Sequence, residues 1–284
     1  MRENDSDLLK EYMHNFFGYG NLGSQEEPTM WFVGQEENGG ICNEEINVIL
    51  ETWRDREKKE VENLQDFYCK YIEKIKFRLE KENLSNKDCL EKSIKECEKY
   101  LKNPYKQEVW TQLMNVAGAY KEDFNSDSFG NHSGAICSLE LLPLPYNYSK
   151  KDCTDWIKVY GPFDIYSEPG KNKMPPKKYY EEMIPYRICK IKKLIGEYKP
   201  EFVIFYIMSF YKYYKKHFKE ILDVYLENNH DISGFPIYKG KLNNDTKITK
   251  IVISYHPAAK QIPIRFGNKK NDYFSGIGGF LKDY

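Results

Sequence analysis

The 284-residue chain has no apolar run approaching the roughly 20 residues that span a bilayer. It has no C-x-x-C pair, no internal repeat, no low-complexity tract and no net excess of either charge. These absences speak against a helical membrane protein, a zinc site of ordinary spacing, a solenoid and a disordered chain. The N-terminal Met1-Arg2-Glu3-Asn4-Asp5 lacks the apolar core of a secretory signal, so a cytoplasmic protein is expected. The seven cysteines, at 42, 69, 89, 97, 137, 153 and 189, are odd in number. Buried free thiols are expected rather than a disulfide framework.

The 24 tyrosines, among many Lys, Asn and Ile, match the residue usage of an AT-rich genome and need no special role. Charge is balanced overall but not locally. From Lys239 to Tyr284 there are nine Lys/Arg against three acids, an excess of six positive charges. A basic surface of that kind can meet phosphates; a solvated face is the alternative.

Four apolar runs read as strands: Thr29 to Gly34, Gly134 to Leu142, Phe202 to Ile207 and Ile248 to Tyr255. Their β-branched and aromatic residues run continuously, as in parallel strands buried on both faces. Met183, Ile188, Ile191, Leu194 and Ile195 give helical spacing over Tyr179 to Tyr198, and Phe210 to Leu226 is also helix-like. Phe235 to Tyr238 reads as a short extra strand. The alternation is α/β. Residues 51–108 differ, with 15 Lys/Arg, 14 Asp/Glu and an apolar stripe of Leu64, Phe67, Tyr71, Ile75, Leu79, Leu90, Ile94 and Leu101. They predict a helical hairpin turning at Asn83-Leu84-Ser85-Asn86, its mixed charges forming a solvated face. Tyr166 to Lys178, with three prolines and Gly170, reads as a surface loop.

Ligands of parallel α/β sheets collect at the carboxyl ends of strands. Here those ends carry Gly34-Gln35-Glu36-Glu37-Asn38-Gly39-Gly40, then Ser138 and Glu140, then Ser254-Tyr255-His256-Pro257-Ala258-Ala259-Lys260. Carboxylates and a histidine on one edge can activate water and stabilise a departing anion.

These segments, in this order, resemble the uracil-DNA glycosylase superfamily, over residues 16–42 and 134–284. Gly34 to Gly39 is similar to its first motif, His256-Pro257 to its last, and Ile136 to Pro145 to its middle strand. Phe17-Gly-Tyr-Gly-Asn21 looks like the loop that precedes the first motif. The resemblance implies that Glu36 positions the attacking water, with Glu37 and Asn38 as substitutes in the same loop. Without it, Glu36 would cap the following helix. His256 would donate toward the leaving base, and Gln35 would contact the base through its backbone. Lys260 and Gln261, or Ile262 as the apolar choice, would wedge into the duplex from which a base has been flipped. Arg265 would add a phosphate contact.

The departures bear on the base. Glu37 replaces the first-motif proline, no aromatic wall follows it, both serines of the last motif are absent, and the uracil-reading Asn has no clear counterpart. Glu140 would accept from an exocyclic amine, as acids do with cytosine N4, with Ser138 beside it and Tyr19 stacking on the base. Ser138 and Glu140 are otherwise strand residues, and Tyr19 a core aromatic. Tyr211, Tyr213 and Tyr214 alternate with Lys212, Lys215 and Lys216, which we read as a helix face.

The expectation is therefore a three-layer α/β/α sandwich with a four-stranded, mainly parallel sheet. It would form a single domain over 1–284, with 51–108 as a helical insertion. The expected activity is that of a monomeric, monofunctional DNA glycosylase with no cofactor, no metal and no membrane partner. Its substrate would be DNA with a modified base, in repair or in defence against phages. The alternatives are an inactive nucleic-acid or nucleotide binder on the same fold and a small-molecule nucleoside hydrolase.

Overall fold

In a computed structural model of the chain, the described residues are all except 1–3, 25–26, 28, 37–41, 147–154, 167–174, 209–210, 233–234, 245–246 and 258–269. In chain order the elements are α1 (Asn4–Asn15), β1 (Gly18–Gly20), β2 (Met30–Glu36), α2 (Asn43–Asp55), β3 (Val61–Glu62), α3 (Leu64–Lys81), α4 (Lys87–Lys102) and α5 (Glu108–Tyr120). There follow β4 (Ile136–Leu142), α6 (Trp156–Tyr160), α7 (Lys177–Tyr198), β5 (Phe202–Phe205), α8 (Tyr211–His217), β6 (Glu227–Ile232), β7 (Phe235–Asn244), β8 (Lys247–Ile253) and α9 (Lys270–Asp283). Among the described residues no helix is long and apolar enough to cross a membrane. The chain divides into two compact units. One holds Met1–Gly18, Glu36–Lys102 and Glu140–Arg187; the other holds Tyr19–Gln35, Asn103–Leu139 and Ile188–Tyr284.

The strands of the second unit follow one another in the order β1-β4-β2-β5-β8-β7-β6 within an eight-stranded sheet. β2, β5 and β8 are parallel, and Val33, Phe205 and Ile253 share one row. Met30 to Val33, Phe202 to Phe205 and Ile251 to Ile253 are all buried. Burial on both faces is why these strands read as unbroken apolar runs. β7 then returns antiparallel to β8, and β6 antiparallel to β7.

The chain is thus α/β, but its sheet is mixed and larger than the expected four mainly parallel strands. The added strands escape a search for apolar runs. β6 reads Glu-Asn-Asn-His-Asp-Ile, and β1 is only Gly-Tyr-Gly. Gly20 adopts φ +117° and lies backbone to backbone against Ile136, where any side chain would collide.

The first unit is mostly helical. Asn63 caps α3 by accepting from the Asp66 N–H at 3.1 Å, and Arg78 and Lys81 close its last turn. α3 buries Leu64, Phe67, Tyr71, Ile72 and Ile75, and α4 buries Leu90, Ser93 and Ile94. The residues between them include Asn83 to Asn86, at the expected turn. The charged faces are laced by pairs such as Lys76–Glu98 at 2.9 Å and Arg78–Glu51 at 2.6 Å. One expectation is corrected here: Cys42 and Cys89 form a disulfide. Of the other described cysteines, Cys137 is buried, while Cys69 and Cys189 are exposed. The 47-residue separation hides the pair from any spacing rule; the hairpin fold brings the two sulfurs together.

The first unit closes around Arg187, whose side chain is fully buried. Its Nη1 donates to the Phe16 carbonyl at 2.6 Å and its Nη2 to the Glu140 carbonyl at 2.6 Å. The guanidinium also lies over the Phe17 ring, 3.8 Å from its centroid. Burial pushes the Arg187 pKa down to about 10, opposed by the nearby Tyr179, Tyr12 and Glu140. The group therefore stays charged at neutral pH. The cation ties the end of α1 and the far end of β4 to α7 by donating to two backbone carbonyls.

Replacing it should be costly. Arg187→Met is expected to lower unfolding stability by about 3 kcal/mol, through loss of two charge-assisted donations and of the cation over the Phe17 ring. Arg187→Lys should recover only part of this, because one ammonium replaces a planar fork. Urea titration measures both. A loss below about 1 kcal/mol in Arg187→Met would contradict the role.

Candidate active site

The parallel register fixes what lies at the carboxyl edge of the second unit. Beyond the Val33–Phe205–Ile253 row the ladder continues for one further step on each side. Tyr206 N–H donates to Val33 O at 3.0 Å, Ser254 N–H to Phe205 O at 2.9 Å, and Met208 N–H to Ser254 O at 2.9 Å. β2 runs on through Gly34-Gln35 to Glu36, while the other two chains leave the sheet as Tyr206-Ile207 and Tyr255-His256-Pro257. First-motif and last-motif residues thus sit on one edge with β5 between them.

Gln35 is only 8% exposed, and its Oε1 is buried without a hydrogen-bond partner. An unsatisfied buried acceptor costs about 1–3 kcal/mol, so a fold that keeps one invites a ligand donor. His256 is half-buried, and its ring meets Tyr206 edge-on with centroids 5.4 Å apart. Pro257 holds His256 extended. Tyr206 itself is buried, directly after β5, so its ring meets the imidazole from a fixed position. Behind the edge, the Tyr255 N–H donates to the Tyr273 hydroxyl of α9 at 3.4 Å. Burial raises that hydroxyl well above its usual pKa, so it stays protonated.

The other nominated residues fall as follows. Glu36 ends β2, and its side chain lies outside the described residues. Glu37, Asn38, Lys260, Gln261, Ile262 and Arg265 also lie outside them. Ser138 and Tyr19 are half-buried in the second unit, on β4 and β1. Tyr19 stands in a glycine-bounded strand that Asn21 anchors by donating through Nδ2 to the Gly134 carbonyl at 2.9 Å. Glu140 belongs to the first unit, where its carbonyl and its charge both serve Arg187. Tyr206 was missed because it looks like one more apolar residue of its run. Arg187 was missed because its partners are backbone groups of distant residues, which leave no pattern in the sequence.

The basic stretch has a described focus. Lys239, Lys241 and Lys250 direct their ammonium groups at the Tyr284 ring, at 5.2, 5.5 and 5.9 Å from its centroid. Lys241 and Lys250 are cross-strand partners in β7 and β8, and Lys239 shares the same face by the period of two. Three cations gather around one ring, itself fixed by Tyr284 donating to Gly240 O at 2.7 Å, and form a lysine platform in which Lys250 also donates to Leu281 O at 3.0 Å. In the first unit, a cleft of about 560 Å³ is lined by Lys10, His14, Asp164, Tyr166, Glu182 and Tyr186 among others. No nominated residue lines it, and Tyr166 already donates to Glu182 at 2.7 Å.

Comparison with known proteins finds no matching family model, no matching curated protein and no matching solved structure.

The unpaired Gln35 oxygen makes a stability prediction that needs no substrate. Gln35→Met, similar in length and shape, should leave unfolding stability unchanged or raise it by about 1 kcal/mol. A comparable loss in chemical denaturation would mean that the carboxamide serves the fold instead.

Proposed function

We propose that the chain is a monofunctional DNA glycosylase that hydrolyses the N-glycosidic bond of a flipped, modified base. The observation that carries the reading is the shared edge. A buried acceptor on Gln35, immediately before Glu36, and the Tyr206-oriented His256 occupy the ends of parallel strands aligned in register. Motif order along the chain supports it independently of the geometry. Glu36 polarises water toward C1′ and takes its proton, while its charge stabilises the oxocarbenium-like sugar. As the new C1′–O bond forms, the C1′–N bond breaks and its electron pair leaves with the base. His256 donates toward that base, and the product is an abasic site.

The base class follows from the polarity of the acceptor. Gln35 Oε1 pairs with a donor such as the exocyclic amine of cytosine and repels the O4 of uracil. With Gly39 and Gly40 in place of a bulky wall, a substituted cytosine such as a glucosylated hydroxymethylcytosine of phage DNA is the substrate we favour. The lysine platform on β7 and β8 supports a polymeric, phosphate-bearing substrate over a free nucleoside. Defence against phages with modified DNA fits this choice, and repair is its alternative setting.

Incubation with a panel of DNAs followed by alkaline cleavage tests the reading. Abasic sites are expected in modified-cytosine phage DNA, with little or no excision from a U:G duplex. Efficient excision of uracil alone would overturn the base assignment. Glu36→Gln should slow excision by about 10²-fold with little change in DNA affinity. Unchanged turnover would remove Glu36 from the mechanism.

Binding should weaken steeply with salt, with a slope near −0.9 per phosphate neutralised. Replacing Lys260, Arg265 or Lys241 by Ala should each flatten that slope by up to about one. A salt-independent affinity would take phosphate contacts out of the account.

A further inference from the structure

The N-termini of two helices of the first unit meet where its disulfide lies. Cys42 is the N-cap of α2 and Cys89 is in the first turn of α4. Ser85 and Asn86, just before α4, donate to Glu44 of α2 at 3.2 and 2.7 Å, which holds the two helix starts together. Between them lies Glu45, a carboxylate only 6% exposed. Its Oε1 accepts from Ser93 Oγ of α4 at 2.8 Å and from Tyr71 OH of α3 at 3.3 Å. One ligand atom from each of Cys42, Glu45 and Cys89 lies within 4.8 Å of the other two.

We infer that, once the disulfide is reduced, Cys42, Cys89 and Glu45 form a binding site for one zinc-class cation, and that oxidation of the two sulfurs closes it. The donor set is two soft thiolates and one carboxylate, which suits Zn²⁺ with a water in the fourth position. In a tetrahedron of normal Zn–S and Zn–O bonds the ligand atoms stand about 3.3–3.8 Å apart. The observed grouping needs only small side-chain adjustments to reach that. The two helix N-termini favour thiolate over thiol. Ser93 and Tyr71 orient the carboxylate from behind, as outer partners of a metal ligand do. A buried carboxylate beside two thiolates is a concentration of negative charge that a divalent cation neutralises.

The exchange balances. A dithiol reductant attacks one sulfur, the Cys42–Cys89 bond breaks, and its second thiol closes a cyclic disulfide, leaving two cysteine thiols. Zn²⁺ then displaces two protons to solvent. In reverse, hydrogen peroxide takes two electrons from the zinc-bound sulfurs. With two protons it gives two waters, the disulfide and free Zn²⁺.

The test uses the full chain, reduced with a phosphine, freed of it without air, and titrated with Zn²⁺ against a chromophoric chelator. The expected result is uptake of one Zn²⁺ per chain, release on addition of peroxide, and thiolate-to-metal absorption bands when Co²⁺ replaces Zn²⁺. Cys89→Ser should abolish stoichiometric uptake. Glu45→Gln, which keeps the side-chain volume, should weaken it by about tenfold or more. Cys69→Ser and Cys189→Ser should bind as the parent does. No uptake by a folded chain whose thiols all titrate as free, or undiminished uptake in Cys89→Ser, would overturn the inference. Neither result depends on whether the chain cleaves DNA.

Discussion

Parallel pairing of β2, β5 and β8 in a single register is the constraint on which the functional account depends. Val33, Phe205 and Ile253 share a row, so the residues that follow them must leave the sheet on the same edge. A slip of one residue in β8 would carry its buried side chains to the opposite face. The burial of Met30 to Val33, Phe202 to Phe205 and Ile251 to Ile253 makes that slip costly, because both faces there are occupied by core. The hydrophobic core thus determines where Gln35 and His256 stand, although neither residue contributes much to it.

The first unit solves a different problem. Its helices carry many charges and comparatively few apolar residues, and two buried polar devices stabilise it. Arg187 supplies donors to carbonyls at the end of α1 and on β4. Glu45 collects hydroxyl donors from α3 and α4 onto α2, beside the Cys42–Cys89 bond. Both devices bury an ionisable side chain, which is tolerable only where hydrogen-bond partners are in position. Such points specify a unique packing, and they make the unit sensitive to the state of those few groups.

The sequence revealed the core strands and the hairpin for a definite reason. Strands buried on both faces leave continuous apolar runs, and helices packed on one side leave a stripe. The polar and glycine-rich strands left no such mark. β6 is polar because it lies at the end of the sheet, and β1 is glycine-rich because it must press against Ile136. At the candidate site, motif order brought out Gln35 and His256, while the orienting role of Tyr206 required its ring contact to be seen. Glu140 carries a contact that the sequence does not show. As a carboxylate on a core strand it invited a ligand role, and its backbone carbonyl also accepts from Arg187. The disulfide was hidden for the same reason as Arg187: both join residues far apart in the chain through geometry alone.

The central claim is that the carboxyl edge bearing Gln35 and His256 performs N-glycosidic hydrolysis. Single-turnover formation of abasic sites in modified-cytosine DNA by the His256→Asn variant tests it most directly, beside a binding isotherm on the same DNA. The account predicts a rate about 10²-fold below that of the parent chain, with affinity nearly unchanged, since the histidine acts on the departing base. Equal single-turnover rates for parent and variant would contradict it.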